Sequence, residues 1–156
     1  MVESGVARKL DPVEIESYDG PYYYISHHEV MNPESDSTPC RLVFNSSAKF
    51  NNITLTDFWA KVPDMMNNLL GVFLRFRSDR VAVAGDIRKM YHTIKTEGID
   101  QQTHRFLWRD LEDRPPDAYV ITSVSFGDKP AAAMAAVALK RRQKWLGMII
   151  QRLQKR

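Results

Sequence analysis

The chain has 156 residues, of which 44% are hydrophobic and 26% are charged, and its net charge at pH 7 is +3. This composition suits one globular domain or a part of a larger one. Its single cysteine, Cys40, excludes an internal disulfide, and its longest uncharged apolar run, residues 131–139, is far shorter than the roughly 18 residues of a membrane-spanning helix. Because the N-terminus MVESGVARKL carries charge where a signal peptide is apolar, we expect an intracellular protein, cytoplasmic or nuclear, that is not secreted.

The first part of the chain predicts a short helix followed by a β-hairpin. Asp11 precedes Pro12, and this pair favours a helix that begins at the proline. Residues 22–26 and 41–44 are rich in aromatic and β-branched side chains, which are typical of strands. The polar, turn-rich residues 32–39 separate them, so the two strands are predicted to pair as a hairpin.

An amphipathic helix and a buried strand are predicted in the middle of the chain. Apolar residues recur at three- and four-residue steps from Pro63 to Phe76, which indicates a helix of about four turns. Residues 81–84 are small or β-branched and predict a short buried strand that stops at Gly85 and Asp86. A carboxylate at that place is a candidate metal ligand, and its alternative role is to cap the next turn or helix.

The last part of the chain predicts a short helix, a second hairpin and a final helix. The short helix is expected to begin at Asp100, and the hairpin consists of strands 106–108 and 118–126 with a bend at two prolines. Pro130 favours the start of the final helix, with Asp128 as its possible N-cap. These elements contain no long parallel crossover, so an α+β fold is predicted, with an antiparallel sheet and packed helices.

The end of the chain is strongly basic. Seven cations and no acid occupy the last seventeen residues, namely Lys140, Arg141, Arg142, Lys144, Arg152, Lys155 and Arg156. Such a surface attracts phosphate backbones through counterion release. The alternative is a helix face whose charges are simply solvated.

The segment around Asp86 resembles the first catalytic block of reverse transcriptases, where a strand-end Asp is followed five residues later by Tyr or Phe. The matching residues are VAVAGDIRKMY, ending at Tyr91. Three further segments are similar, in the same order, to the polymerase of BEL/Pao-type LTR retrotransposons: YYYISHHEVMNPESDSTPCRLVFNSSAKFNN, RFLWRD and SVSFGDKPAAAMA. The resemblance implies that residues 1–140 form a partial reverse transcriptase domain, the fingers and the first half of the palm. Residues 141–156 do not share it and are predicted to form a divergent basic amphipathic helix.

The resemblance also implies a nucleotide site. In it Arg41 contacts the triphosphate of an incoming nucleotide, Tyr91 is a steric gate at its sugar, and Phe126 and Gly127 belong to the second nucleotide-site block. A guanidinium suits the first role, because it forks onto phosphate oxygens and keeps its charge. At Asn45 the sequence departs from the family, which usually has Asp there.

A catalytic metal site is implied only in part. By resemblance Asp86 is catalytic and binds Mg²⁺, helped by the backbone carbonyl of Ile87. The family needs a second carboxylate pair to hold two ions, but no acid follows Asp128 in this sequence. We therefore expect weak or absent Mg²⁺ binding and no activity from the chain alone.

Two functions follow from these expectations. The first is a fragment of a reverse transcriptase, which in the complete enzyme synthesises DNA from dNTPs on an RNA template and a DNA primer, together with the missing C-terminal half. The alternative is a non-catalytic, vestigial or co-opted module that binds nucleic acid or protein.

Overall fold

The computed structural model describes residues 1–36, 38–60, 62–65, 67–78 and 80–154, the last six of these as helical backbone. Within these ranges the fold is mixed α+β, with small antiparallel sheets and five α-helices. The strands are β1 (Ala7–Lys9), β2 (Ser26–Met31), β3 (Cys40–Asn45), β4 (Arg105–Trp108) and β5 (Asp117–Ile121). The helices are α1 (Pro12–Ser17), α2 (Leu55–Phe58), α3 (Leu69–Phe76), α4 (Ile99–Gln102) and α5 (Ala131–Gln154), with one 3₁₀ turn, Tyr91–Thr93.

A three-stranded sheet in the order β1-β5-β4 forms the centre of the fold. The predicted hairpin across the two prolines is present as β4 and β5, in which Arg105 pairs with Val120. The second strand ends at Ile121, earlier than predicted. Beyond it the chain keeps single backbone bonds, because Thr122 donates to the carbonyl of Val6 at 2.8 Å and Val124 donates to that of Ile94 at 2.9 Å.

The predicted N-terminal hairpin is present, but its first strand lies later in the chain than expected. Strand β2 covers residues 26–31 rather than 22–26, and it pairs with β3 from Ser26–Asn45 to Met31–Cys40. Residues 23–25 instead lie beside β4, where the amide of Ile25 donates to the carbonyl of Arg105 at 2.7 Å. The aromatic run that predicted a hairpin strand therefore contacts the central sheet.

The hydrophobic core joins the hairpin to the central sheet. Its buried members come from both sheets, from the residue before β2 and from helix α2, namely Ala7, Ile25, Phe44, Leu55, Phe106 and Ile121. The rings of Phe44 in β3 and Phe106 in β4 meet edge to face, with centroids 5.2 Å apart. This contact fixes the end of β3 against the sheet, where the candidate site lies.

The predicted four-turn helix from Pro63 is wrong in length. Helix α3 has eight residues and begins after Asn68, whose side chain accepts a hydrogen bond from the amide of Gly71 at 3.0 Å. Its apolar side chains are largely exposed, so packing does not extend the helix toward Pro63. Met66, which the prediction included, lies outside the described residues.

The buried strand predicted at residues 81–84 is also wrong. Residues 81–87 have no regular secondary structure, and Val83 is 87% exposed. In the central sheet β5 already pairs on both sides, with β1 and β4. Beside the outer strands, the carbonyl of Met1 accepts hydrogen bonds from the amides of Val6 and Ala7, and residues 23–25 lie next to β4.

The remaining helices follow the prediction more closely. Helix α1 begins at Pro12, and the Asp11 carboxylate accepts a hydrogen bond from the amide of Val13 at 2.8 Å. Helix α4 has Gly98 as its N-cap, so the expected cap at Asp100 is wrong, and that residue lies in the first turn.

Helix α5 begins directly after Pro130, as predicted, and continues through the basic segment to Gln154. The proposed division at residue 140 therefore lies inside one helix, while Lys155 and Arg156 lie outside the described residues. In the part of the chain that the structure describes, no helix is both long enough and apolar enough to cross a membrane.

Candidate functional site

Two of the predicted nucleotide-binding residues meet at the surface. The rings of Tyr91 and Phe126 lie edge to face with centroids 4.6 Å apart, and the His92 ring is 5.8 Å from that of Phe126. Backbone bonds set this contact, because Lys95 forms a β-bridge with Ser123, so the two segments run side by side. Phe126 is 59% exposed. We call these three rings the aromatic cluster, in which Phe126 is exposed and Tyr91 and His92 are partly buried.

Gly127 places the aromatic cluster next to strand β3. Its φ of +90° is one that residues with a Cβ rarely adopt, so glycine is required here for conformation. A Cβ built on it would lie 4.0 Å from the backbone oxygen of Phe44. The turn that carries Phe126 therefore lies against the end of β3.

Arg41 lies on the same strand, nearer its start. Phe44 is buried and Leu42 packs against the core, so alternation along the strand directs Arg41 to the opposite, exposed face. Arg41 is three residue steps before Phe44, which corresponds to about 10 Å along a strand. The structure thus brings Tyr91, Phe126 and Gly127 together and puts Arg41 on the strand that they adjoin.

Asp86 and Ile87 lie on an exposed, irregular segment that leads into the 3₁₀ turn. The carbonyl of Ile87 accepts a hydrogen bond from the amide of Met90 at 3.2 Å, which closes a turn just before Tyr91. Among the described residues, no group of three or more His, Cys, Asp or Glu side chains could hold a metal ion. Mg²⁺ requires near-octahedral oxygen coordination. One exposed carboxylate and one carbonyl do not fit such a site.

Neither a scan against models of protein families nor a search of curated proteins finds a match for this chain. The functional evidence is therefore the arrangement of its own residues.

A polar cluster beneath the aromatic cluster was not predicted from the sequence. The Asp128 carboxylate, whose side chain is 7% exposed, accepts hydrogen bonds from the Ser125 amide at 3.2 Å and the Ser46 hydroxyl at 3.3 Å. Its other contact is Nε2 of His104 at 3.1 Å. The sequence predicted only a helix-capping role for Asp128. Its carboxylate joins the residue after β3, the segment between α4 and β4, and the turn before α5.

The surroundings of His104 in this cluster change its pKa. Burial by itself lowers the pKa of His104, but the hydrogen bond and charge of Asp128, together with the Asp100 carbonyl, outweigh it, and the pKa is raised. The carboxylate, not the imidazole, contacts the Ser46 hydroxyl. The hydroxyl that lies near the imidazole is that of Thr103, 3.3 Å from Nδ1 of His104, and the same nitrogen lies 2.7 Å from the carbonyl oxygen of Asp100.

A second cluster that the sequence did not predict surrounds the side chain of Arg105. Arg105 is 1% exposed, and its guanidinium lies 4.6 Å from the ring centroid of Tyr22 and 5.3 Å from that of Tyr18. Its Nε donates to Oε1 of Gln102 at 2.8 Å, while Nη2 has no hydrogen-bond partner among the described residues. The only sequence signal was the aromatic run at residues 22–24, which was interpreted as a strand.

Proposed function

We propose that the chain is a fingers and N-terminal palm portion of a BEL/Pao-type reverse transcriptase whose aromatic cluster takes part in dNTP binding. The observation that carries this proposal is the contact of Tyr91 with Phe126 beside Gly127. These residues come from the two separate segments that resemble the nucleotide-site blocks of the family. DNA synthesis on an RNA template and DNA primer belongs, in this proposal, to the complete enzyme.

The chemistry of the surface supports a nucleotide ligand. Exposed aromatic faces stack on bases and sugars largely irrespective of base identity. The conformation of Gly127 lets backbone approach such a ligand closely. Arg41, on the exposed face of β3, supplies a guanidinium for phosphate oxygens.

The second candidate function is a non-catalytic module that binds nucleic acid or protein. The observation that favours it is helix α5, which continues from Ala131 to Gln154 through basic residues and is exposed from Lys140 to Met148. Nucleotide binding at the aromatic cluster distinguishes the two candidates, because a co-opted module does not need it.

Replacing Arg41 tests the nucleotide site. We expect Arg41→Ala to weaken the binding of a deoxynucleoside triphosphate by about 1.5 to 3 kcal/mol, roughly 10- to 150-fold, because charge-assisted hydrogen bonds are lost. Isothermal titration calorimetry measures the affinity directly. Arg109→Ala, an equally exposed cation at the far end of β4, is the matched control and should bind as the wild type does. Equal affinities of wild type and Arg41→Ala contradict the role of Arg41.

A further inference from the structure

An apolar groove lies along helix α5, and none of the proposed nucleotide-binding residues lines it. Its volume is about 770 Å³. One wall consists of Val62, Pro63 and Met65, and the other consists of Met134, Val137 and Trp145 from the helix. A concave, apolar channel with two walls is the shape that receives an amphipathic helix, whose diameter is about 10 Å.

The lining of this groove also includes two cations. Arg141 and Arg142 line it, and the guanidinium of Arg142 lies 4.7 Å from the ring centroid of Trp145. Lys140 and Lys144 flank these arginines on the same helix, which has no acidic residue from Ala131 to Gln154. Among the described residues that line the groove none is acidic, although Asp64 lies between two residues of the opposite wall. The positive charge of α5 is therefore available to a partner.

We propose that this groove binds an acidic amphipathic helix of another protein. The apolar face of such a helix removes the walls from water, and its carboxylates meet Arg141 and Arg142, whose planar guanidinium groups bind carboxylates with two hydrogen bonds. Nucleic acid fits the cations but gains nothing from the apolar walls. A membrane surface fits apolar and cationic residues together, but it requires a convex apolar face rather than a channel.

The probe is a fluorescent sixteen-residue peptide with leucines on one helical face and glutamates elsewhere. Its control has lysine in place of every glutamate. Fluorescence anisotropy with the full chain should show that the acidic peptide binds at least about tenfold more tightly than the lysine peptide, because the charges of the groove cations are matched only in the first case.

Two pairs of variants locate the peptide on the groove. Val137→Glu should weaken binding at least about tenfold, while Ala132→Glu, an exposed position on the same helix outside the groove, should not. Arg141→Glu combined with Arg142→Glu should also weaken binding at least about tenfold, whereas Lys140→Glu with Lys144→Glu, which changes net charge equally, should stay within about threefold.

Several results overturn the proposal. The acidic helix is rejected if both peptides bind alike or if neither binds. The groove is rejected if Val137→Glu and Ala132→Glu behave alike. Parallel titrations use single-stranded poly-uridine RNA and phosphatidylserine vesicles. If either binds more tightly than the acidic peptide and loses affinity in Val137→Glu, the surface recognises nucleic acid or lipid instead.

Discussion

At the scale of single residues, the Asp128 side chain does most to define the candidate site. It holds His104, Ser46 and the Ser125 amide, which come from three separate parts of the chain. Trp59 stacks on the His104 ring with an interplanar angle of 16°. The Asp128 contacts thereby hold the turn that carries Phe126 and Gly127 in place.

The raised pKa of His104 predicts how stability depends on pH. A folded-state pKa above the unfolded value of about 6.5 means that protonation stabilises the native state. This contribution is fully present below about pH 6.5 and is lost as the pH rises through the folded pKa. Urea unfolding from about pH 5 to 9 should therefore show that the stability advantage of wild type over His104→Gln shrinks with increasing pH.

The comparison with His104→Gln is needed because two other histidines act in the opposite direction. Burial lowers the pKa of His27 and His92, so their contributions rise with pH. Both are present in the wild type and in the variant and cancel in the difference. An advantage that stays constant or grows with pH contradicts the role assigned to the His104–Asp128 pair.

Arg105 shows why a buried arginine enclosed by aromatic rings is difficult to predict from the sequence. A lone arginine at the start of a strand is usually exposed, and nothing in its neighbours predicts burial. Its guanidinium is enclosed by the rings of Tyr18, Tyr22 and Tyr24. Their position depends on the hydrogen bonds between residues 23–25 and Arg105 of β4. The same tertiary contact moved the first hairpin strand away from its predicted place.

At the scale of elements, local signals predicted more than buried patterns did. The helix starts at Pro12 and Pro130 and the hairpin across the two prolines were confirmed, because proline restricts its own backbone wherever the rest of the chain lies. The prediction of a strand at residues 81–84 was wrong, because an apolar run indicates only that burial of its side chains is favourable. Whether a sheet has a free edge for it depends on the strands that pair elsewhere.

The exposure of residues 81–87 gives a matched test by mutation. Val83→Ala should change the free energy of unfolding by less than about 0.5 kcal/mol, because its methyl groups already face solvent. Val120→Ala, at a position with 0% exposure in the central strand, should cost about 2 kcal/mol from lost transfer energy and a cavity. Chemical denaturation measures both, and a comparable cost for Val83 would mean that the segment is a buried strand after all.

In the candidate site, the predicted nucleotide-binding residues and the predicted metal ligand differ in how the structure arranges them. The resemblance named Tyr91, Phe126 and Gly127 from separate segments, and the structure brings these three together. It does not assemble a metal site around Asp86 in the described residues. The resemblance named these residues, but their packing depends on a β-bridge between Lys95 and Ser123 that the sequence did not predict, and their role in nucleotide binding stays a prediction. For Asp86 the sequence offered one carboxylate and one backbone carbonyl, which are few ligands for an ion that requires near-octahedral oxygen coordination.

At the scale of the whole molecule, the proposed nucleotide surface lies in a chain whose described residues contain no group of three or more His, Cys, Asp or Glu side chains that could hold a metal ion. Nucleotidyl transfer depends mainly on positioning and on stabilising charge with metal ions held at fixed oxygens. An exposed Asp86 on an irregular segment supplies neither a fixed position nor a second ion. Binding and catalysis should therefore separate in this protein, with the former surviving without the latter.

Primer extension tests that separation directly. The 156-residue chain should not extend a DNA primer on an RNA template with dNTPs and Mg²⁺ or Mn²⁺, since loss of the ions removes many orders of magnitude of rate rather than a few-fold. Asp86→Asn is assayed beside it, and it should bind dNTP in calorimetry as the wild type does, because the carboxylate holds no ion that the nucleotide needs. Extension by the wild type that disappears in Asp86→Asn contradicts this, since it requires a further acid to complete a metal site around Asp86.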